Sequence, residues 1–146
     1  AIGLCQLKKF DTFMETRIKN SETFKDLFGN QPFCQIQKCS KDSSWFGFSI
    51  ILDGNLKNKR SHVLYELQRY GIETRPIVTG NFLKNPVIKF YDYSISQDLK
   101  NAQTIDHRGF FVGNYNKLLT NELEKLHSIL NKLDKFYSKK KLKIKI

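Results

Sequence analysis

Apolar side chains recur every three or four positions through the opening of the chain: Leu4, Leu7, Phe10, Met14 and Ile18, then Phe24, Leu27 and Phe28. That spacing gathers them on one face of a helix and predicts a single long helix over 2–28. Gly29-Asn30 supplies its stop, and Pro32, which lacks an N–H, prevents continuation. A helix of this length is either an arm joining two domains or an ordinary core helix. Residues 33–38 read as a weak strand and 40–44 as a polar loop. From Trp45 to Leu52 the period becomes two, with Phe46, Phe48, Ile50 and Leu52 on one face and Gly47 and Ser49 on the other. This is the strongest strand in the chain, and Asp53-Gly54-Asn55 ends it.

The helical period returns over 59–70, with Val63, Leu64 and Leu67 inward and Gly71 as the residue after the C-cap. A short strand over 72–75, a short helix over 97–107 and a buried strand from Gly109 to Val112 follow, then a second turn at Gly113-Asn114. Thr120 is placed to cap the last helix, with Glu122 and Glu124 near its positive end and Leu123, Leu126, Leu130 and Leu133 as its buried stripe. Helices and strands interleave without repeats. The expected fold is α/β (α+β), a small, mainly antiparallel sheet packed with helices.

The stretch from Gly71 to Pro86 carries the candidate chemistry. Side chains of a strand alternate between faces, so Glu73 and Arg75 point the same way and Thr74 the other. Pro76 ends regular pairing, Gly80-Asn81 offers a turn with positive φ, and Asn85-Pro86 closes the loop. Polar loops hung from a strand between helices often hold binding residues. Glu73 and Arg75 are a binding pair or an exposed ion pair worth little. Asn81 is a ligand contact or a turn residue tolerant of positive φ.

Composition narrows the classes. With 146 residues, 40% apolar and 13% aromatic, the chain builds about one domain with a real core. It opens Ala1-Ile2-Gly3 and its one methionine is Met14, which leads us to expect a processed product or part of a longer one. No signal-peptide pattern and no apolar run of membrane-spanning length is present. The net charge of +11 is concentrated late, at Lys132, Lys135, Lys139, Lys140, Lys141, Lys143 and Lys145, and a terminal lysine run reads as a solvated tail. No nucleic-acid motif accompanies it. Cys5, Cys34 and Cys39 match no zinc spacing and are expected to be reduced thiols in a cytoplasmic protein. His62, His107 and His127 sit in no metal motif, and His127 is a packed or surface histidine. No metal site is expected.

Several segments in order resemble a known family: Ala1-Ile2-Gly3-Leu4 opening a long helix, Trp45-Phe46-Gly47-Phe48, Gly71-Ile72-Glu73-Thr74-Arg75-Pro76, Gly80-Asn81-Phe82 and Gly109-Phe110-Phe111-Val112-Gly113-Asn114. Together they are similar to the C-terminal part of the DegT/DnrJ-type pyridoxal-phosphate enzymes that act on nucleotide-linked sugars. The likeness runs from about residue 1 to about residue 135. The stretch after Gly71 has no histidine, and it reads Arg75-Pro76, then Gly80-Asn81-Phe82, then Pro86. That resembles the 3-dehydratases of 4-keto-6-deoxy sugars, while some aminotransferases of the family share the Gly-Asn-Phe pattern.

The resemblance implies the small C-terminal domain of an aspartate-aminotransferase-like, fold type I enzyme, with 1–28 as an interdomain helix, 29–137 as the domain and 138–146 as a lysine-rich tail. It implies pyridoxal or pyridoxamine phosphate as cofactor, held mainly by an N-terminal domain outside this chain, and no catalytic residue within it. The base, a lysine or the histidine that replaces it, belongs to that other domain. So do the iron–sulphur ligands of some relatives. The implied substrate is a nucleotide-linked keto-sugar of lipopolysaccharide deoxysugar biosynthesis, the assembly a homodimer, and the chain alone inactive. Glu73, Arg75 and Asn81 would bind substrate. The chemistry would be loss of the 3-hydroxyl beside the C4 ketone, or transfer of an amino group to that ketone. The reading from a different class is a non-catalytic basic binding module, whose affinity for nucleic acid would fall steeply with salt.

Overall fold

The computed structural model describes residues 2–39 and 43–143, so the first part of the 40–44 loop and the last three residues lie outside the described residues. Strands β1 (Cys34–Ile36), β2 (Gly47–Leu52) and β3 (Gly109–Gly113) form an antiparallel sheet in the order β1-β2-β3. In the register, Ile50 lies opposite Phe110 and Phe48 opposite Val112, so one face is continuously apolar. The predicted alternation holds for Phe48, Ile50 and Leu52, all buried, and fails at Phe46, which is 82% exposed. The reason is backbone conformation. Trp45 has φ of 49°, in the left-handed region, which shifts the phase of the pleat. Trp45 then enters the core in place of Phe46 at 2% exposure.

The helices are α1 (Ile2–Leu7), α2 (Phe10–Phe28), α3 (Arg60–Arg69), α4 (Lys100–Arg108) and α5 (Thr120–Lys143). Phe24 of α2 stacks on Phe48 of β2 at 4.5 Å between centroids and on Phe28 at 4.8 Å. Leu123, Leu126, Ile129 and Leu130 of α5 and Val63 and Leu67 of α3 complete one contiguous core. Burying side chains of this size contributes about 1.5–3 kcal/mol each before the entropy of ordering them. α3 ends as its sequence predicts. Gly71, at φ 76°, donates to Gln68 C=O at 2.9 Å and Ile72 to Leu67 C=O at 2.9 Å, the paired bonds of a Schellman motif.

Four local expectations need correction. The helix predicted over 2–28 breaks at Lys8-Lys9, where Lys9 N–H bonds Gln6 C=O at 3.0 Å in a tighter turn. α1 buries nothing, so no packing rewards a continuous helix. The strand predicted over 72–75 reduces to one bridge between Arg75 and Phe111, because Pro76 has no N–H with which to extend it. The turn expected at Gly113-Asn114 is absent. Gly113 belongs to β3 and Asn114 is buried. Thr120 is the first helical residue of α5 rather than its cap; Leu119 C=O accepts Leu123 N–H at 2.9 Å. α5 runs to Lys143, so Lys139, Lys140 and Lys141 are helical with exposed side chains, and Lys145 lies outside the described residues.

A polar hub sits where the pattern predicts none. Asn20, 1% exposed on α2, donates through Nδ2 to Asn114 Oδ1 at 3.0 Å, to Tyr115 C=O at 3.1 Å and to Lys117 C=O at 2.8 Å. Its Oδ1 accepts Leu119 N–H at 2.9 Å, which satisfies a donor at the head of α5. Asn114 Nδ2 in turn donates to Arg17 C=O and Trp45 C=O, each at 3.1 Å. His127 packs edge-on to Phe28 at 5.4 Å, with its buried Nε2 lacking a hydrogen-bond partner, so it is a packed histidine. No disulfide links Cys5, Cys34 and Cys39.

Asn20→Ala should destabilise the chain by about 2–3 kcal/mol, since several buried groups lose their partner at once. A denaturant midpoint that stays put would refute that role. Burial, and then the Asp53 charge, push the Cys34 thiol up to about 12. Because the folded value is raised, the stabilisation from keeping this thiol protonated is full below the ordinary thiol pKa and is lost as pH rises from there through the folded value of about 12. Alkylation with iodoacetamide at pH 8 should therefore modify exposed Cys5 and spare Cys34 until denaturant is added.

Candidate functional site

Downstream of the Gly71 turn the chain runs back along the outer edge of β3. Arg75 N–H donates to Phe111 C=O at 2.9 Å and Phe111 N–H to Arg75 C=O at 2.8 Å. This pair of backbone bonds fixes where the Arg75 side chain begins. Nε and Nη2 of Arg75 both donate to Glu73 Oε1, at 3.1 and 2.9 Å, so the two side chains share a side as their spacing predicts. They are 72% and 78% exposed, and an ion pair in that setting contributes roughly 0–1 kcal/mol. The pair orients rather than stabilises. Nη1 carries no hydrogen bond among the described residues, so part of the guanidinium fork is available to a ligand.

These two residues line an open cavity of about 210 Å³ with Phe46, Phe111, Gly113 and Asn114. Phe46, turned out of the core by the Trp45 conformation, stacks on Phe111 at 5.7 Å and 23°. The lining thus combines the apolar Phe46–Phe111 stack, the charged Glu73–Arg75 pair and Asn114 of the Asn20–Asn114 hub. A broader cavity of about 560 Å³ between α3 and residues 72–74 shares Glu73 as a wall. Neither Phe46, Phe111 nor Asn114 was selected by sequence. Phe46 and Asn114 read as core and turn, and Phe111 as part of a buried strand. Among the described residues, no cluster of three His, Cys, Asp or Glu side chains could hold a metal.

Asn81 is placed elsewhere. It is buried, does not line the cavity, and has φ of −91°, so the expectation of a positive-φ turn residue is wrong; Gly80, at φ 62°, takes that conformation. Asn81 Oδ1 accepts Leu83 N–H at 3.1 Å and heads the short 3-10 turn Phe82–Lys84. Its own N–H donates to Asp106 Oδ1 of α4 at 3.4 Å. Lys84 Nζ reaches Asp106 Oδ2 at 2.5 Å and His107 Nε2 at 2.8 Å. The hydrogen bond from Lys84 is the main cause holding the Asp106 carboxyl below the usual carboxylate range, and the Asn81 N–H adds to it.

The packing of the aromatic wall leads to a mutational test. A Cβ on Gly47 would lie 2.6 Å from Val112 C=O and still closer to the Phe111 ring, whereas a Cβ on Gly113 meets nothing. Gly47→Ala should cost about 1–3 kcal/mol through forced displacement, and Gly113→Ala should be tolerated. Equal melting temperatures for the two variants would show that the wall yields freely.

The chain is 47% identical over 133 residues to the GDP-4-keto-6-deoxy-D-mannose 3-dehydratase of Yersinia pseudotuberculosis, covering 90% of this chain and 34% of that protein. It matches the solved structure of E. coli GDP-4-keto-6-deoxy-D-mannose-3-dehydratase with bound hydrated PLP at a TM-score of 0.83 and 43% identity, covering 88% of this chain and 33% of that one. Helicobacter pylori PseC, an aminotransferase involved in the biosynthesis of pseudoaminic acid, shares the fold at a TM-score of 0.73 and 18% identity, over 89% of this chain and 35% of that one. The chain therefore spans about a third of the length of the relatives it matches. Residues 1–131 match the family model as well, and the chain belongs to the DegT/DnrJ/EryC1/StrS aminotransferase family.

Proposed function

We propose that this chain is the sugar-facing small domain of a pyridoxal-phosphate-dependent 3-dehydratase that acts on a nucleotide-linked 4-keto-6-deoxyhexose. The observation that carries the reading is the Glu73–Arg75 pair, held at the mouth of a cavity by the Arg75–Phe111 bridge. The degree of likeness favours the dehydratase branch, since the dehydratases resemble the chain at 43–47% identity and the aminotransferase PseC at 18%. The alternative within the family is a nucleotide-sugar aminotransferase. A histidine rather than a lysine as the base in the rest of the enzyme would decide for dehydration.

Pyridoxal phosphate, when bound, supplies the electron sink for such chemistry. The described residues do not form its cradle. Among the described residues the cavity offers one cation, Arg75, and no cluster of basic groups for the cofactor's phosphate, and the Asp106 carboxylate is taken by Lys84. The cofactor and the base are thus assigned to the rest of the enzyme, and this chain's part is binding and orientation. Arg75 would donate from its remaining N–H groups to two sugar or phosphate oxygens. Glu73 would hold Arg75 in place or accept a sugar hydroxyl. The Phe46–Phe111 stack would lie against the apolar side of the ring. Asn81, with Oδ1 committed to Leu83, retains Nδ2 for a sugar oxygen. The reading also takes the enzyme to be a cytoplasmic homodimer of lipopolysaccharide deoxysugar synthesis; among the described residues no helix is long and apolar enough to cross a membrane.

The test is Arg75→Lys in the full-length enzyme, which keeps the charge and loses the fork. Catalytic efficiency should fall by roughly tenfold or more, about 1.4 kcal/mol or greater, with the melting temperature nearly unchanged. Wild-type activity in both Arg75→Lys and Arg75→Ala would remove Arg75 from the site.

A further inference from the structure

Beyond Arg75 the chain is held by a second clamp, on α4. Asp106 Oδ1 accepts the Asn81 N–H at 3.4 Å, and Asp106 Oδ2 accepts from Lys84 Nζ at 2.5 Å. Lys84 also donates to His107 at 2.8 Å, which requires Nε2 of that ring to be the unprotonated nitrogen. The Asp106 side chain is three-quarters covered. It comes so close to the loop backbone that a Cβ on Gly80 would lie 2.4 Å from Oδ1. Gly80 is thus required twice, for its φ of 62° and for the room it leaves the carboxylate.

Between the two clamps lies the turn 76–80, closed by Gly80 N–H on Ile77 C=O at 2.9 Å. Its Val78 has φ of 51° and is 89% exposed. A β-branched residue in the left-handed region is strained, and strain of this kind persists only where the surroundings over-determine it. Val78 itself packs against almost nothing. What holds it is therefore the restraint at either end: the Arg75–Phe111 bridge on one side and Asp106 on the other.

We propose that Asp106 is a positioning residue for the substrate pocket, holding the 76–84 loop so that Arg75 stays aimed over Glu73. It rests on the functional reading above. Asp106 touches no substrate in this scheme. It acts on Arg75 through five residues of chain, and the chain must stay taut for the guanidinium to meet sugar or phosphate oxygens.

The test compares wild type, Asp106→Ala and Asp106→Asn in the full-length protein, by amide hydrogen exchange and by steady-state kinetics on a nucleotide-linked 4-keto-6-deoxyhexose. Asp106→Ala should speed exchange across 76–84 by about tenfold and raise KM by about fivefold or more with kcat little changed. Asp106→Asn keeps the shape and an oxygen acceptor, so it should fall between; it also replaces the alanine variant should that fail to fold. Faster exchange with an unchanged KM would overturn the positioning role, as would unchanged exchange in both variants. A wild-type protein inactive on that sugar would sink the functional reading instead. The exchange data, followed at residue 75 as well as across 76–84, would then decide alone: acceleration reaching Arg75 supports the clamp, and acceleration confined to 76–84, or none, overturns it.

Discussion

The amide pair Asn20–Asn114 is the constraint on which the rest of the molecule depends. From α2, the Asn20 side chain satisfies groups on the segment after β3 and at the head of α5, and its partner Asn114 reaches back to the carbonyls of Arg17, on α2, and Trp45. Buried amides are tolerated only when they are bonded, and these two use almost every donor and acceptor they have. The pair does more than join elements. Trp45 adopts a left-handed conformation that a tryptophan does not choose unaided. Its carbonyl is held by Asn114 Nδ2 and by Arg17 Nη2, so the hub helps to keep it there. That conformation sends Trp45 into the core and Phe46 outward. The aromatic wall of the cavity thus depends in part on a polar contact to the Trp45 carbonyl, one residue before Phe46.

The parts of the fold legible in the sequence are those in which one period runs unbroken and the packing agrees with it. The buried face of β2 from Phe48 onward, the Gly71 stop of α3 and the leucine stripe of α5 are of this kind. The parts that were not legible involve one residue overruling the local period. Trp45 reverses the phase before Phe48. Lys8-Lys9 interrupt a helical pattern that continues through them, and among the described residues α1 buries none of its side chains. Thr120 looks like a cap, yet the bond to Leu119 N–H comes from Asn20, nearly a hundred residues earlier. No window of sequence contains that contact.

The candidate site divides along the same line. Glu73 and Arg75 were legible because two residues of extended backbone are enough to bring their side chains together, even though only Arg75 joins the sheet. Asn81 was legible as a special position, and its special nature proved to be burial and loop capping, with Gly80 supplying the positive φ. Asp106 was invisible. Its partners, Asn81 and Lys84, lie 25 and 22 positions away, and only the fold brings α4 against the loop.

These differences sort the molecule into a part that is packed and a part that is tied. The core of β2, α2, α3 and α5 buries large apolar side chains, and its stability is spread over many contacts. The segment from Arg75 to Lys84 is held by few bonds, mostly polar and partly exposed, and each of them is weak alone. Opening such a segment requires far less free energy than opening the core. The Phe46–Phe111 wall is fixed by the sheet and the hub, while the segment from Arg75 to Lys84 keeps its course only while both of its ends are tied, at Phe111 and at Asp106. The energetic separation of the two follows from Arg75 standing at the sheet's last bonded position, with Pro76 barring any further pairing.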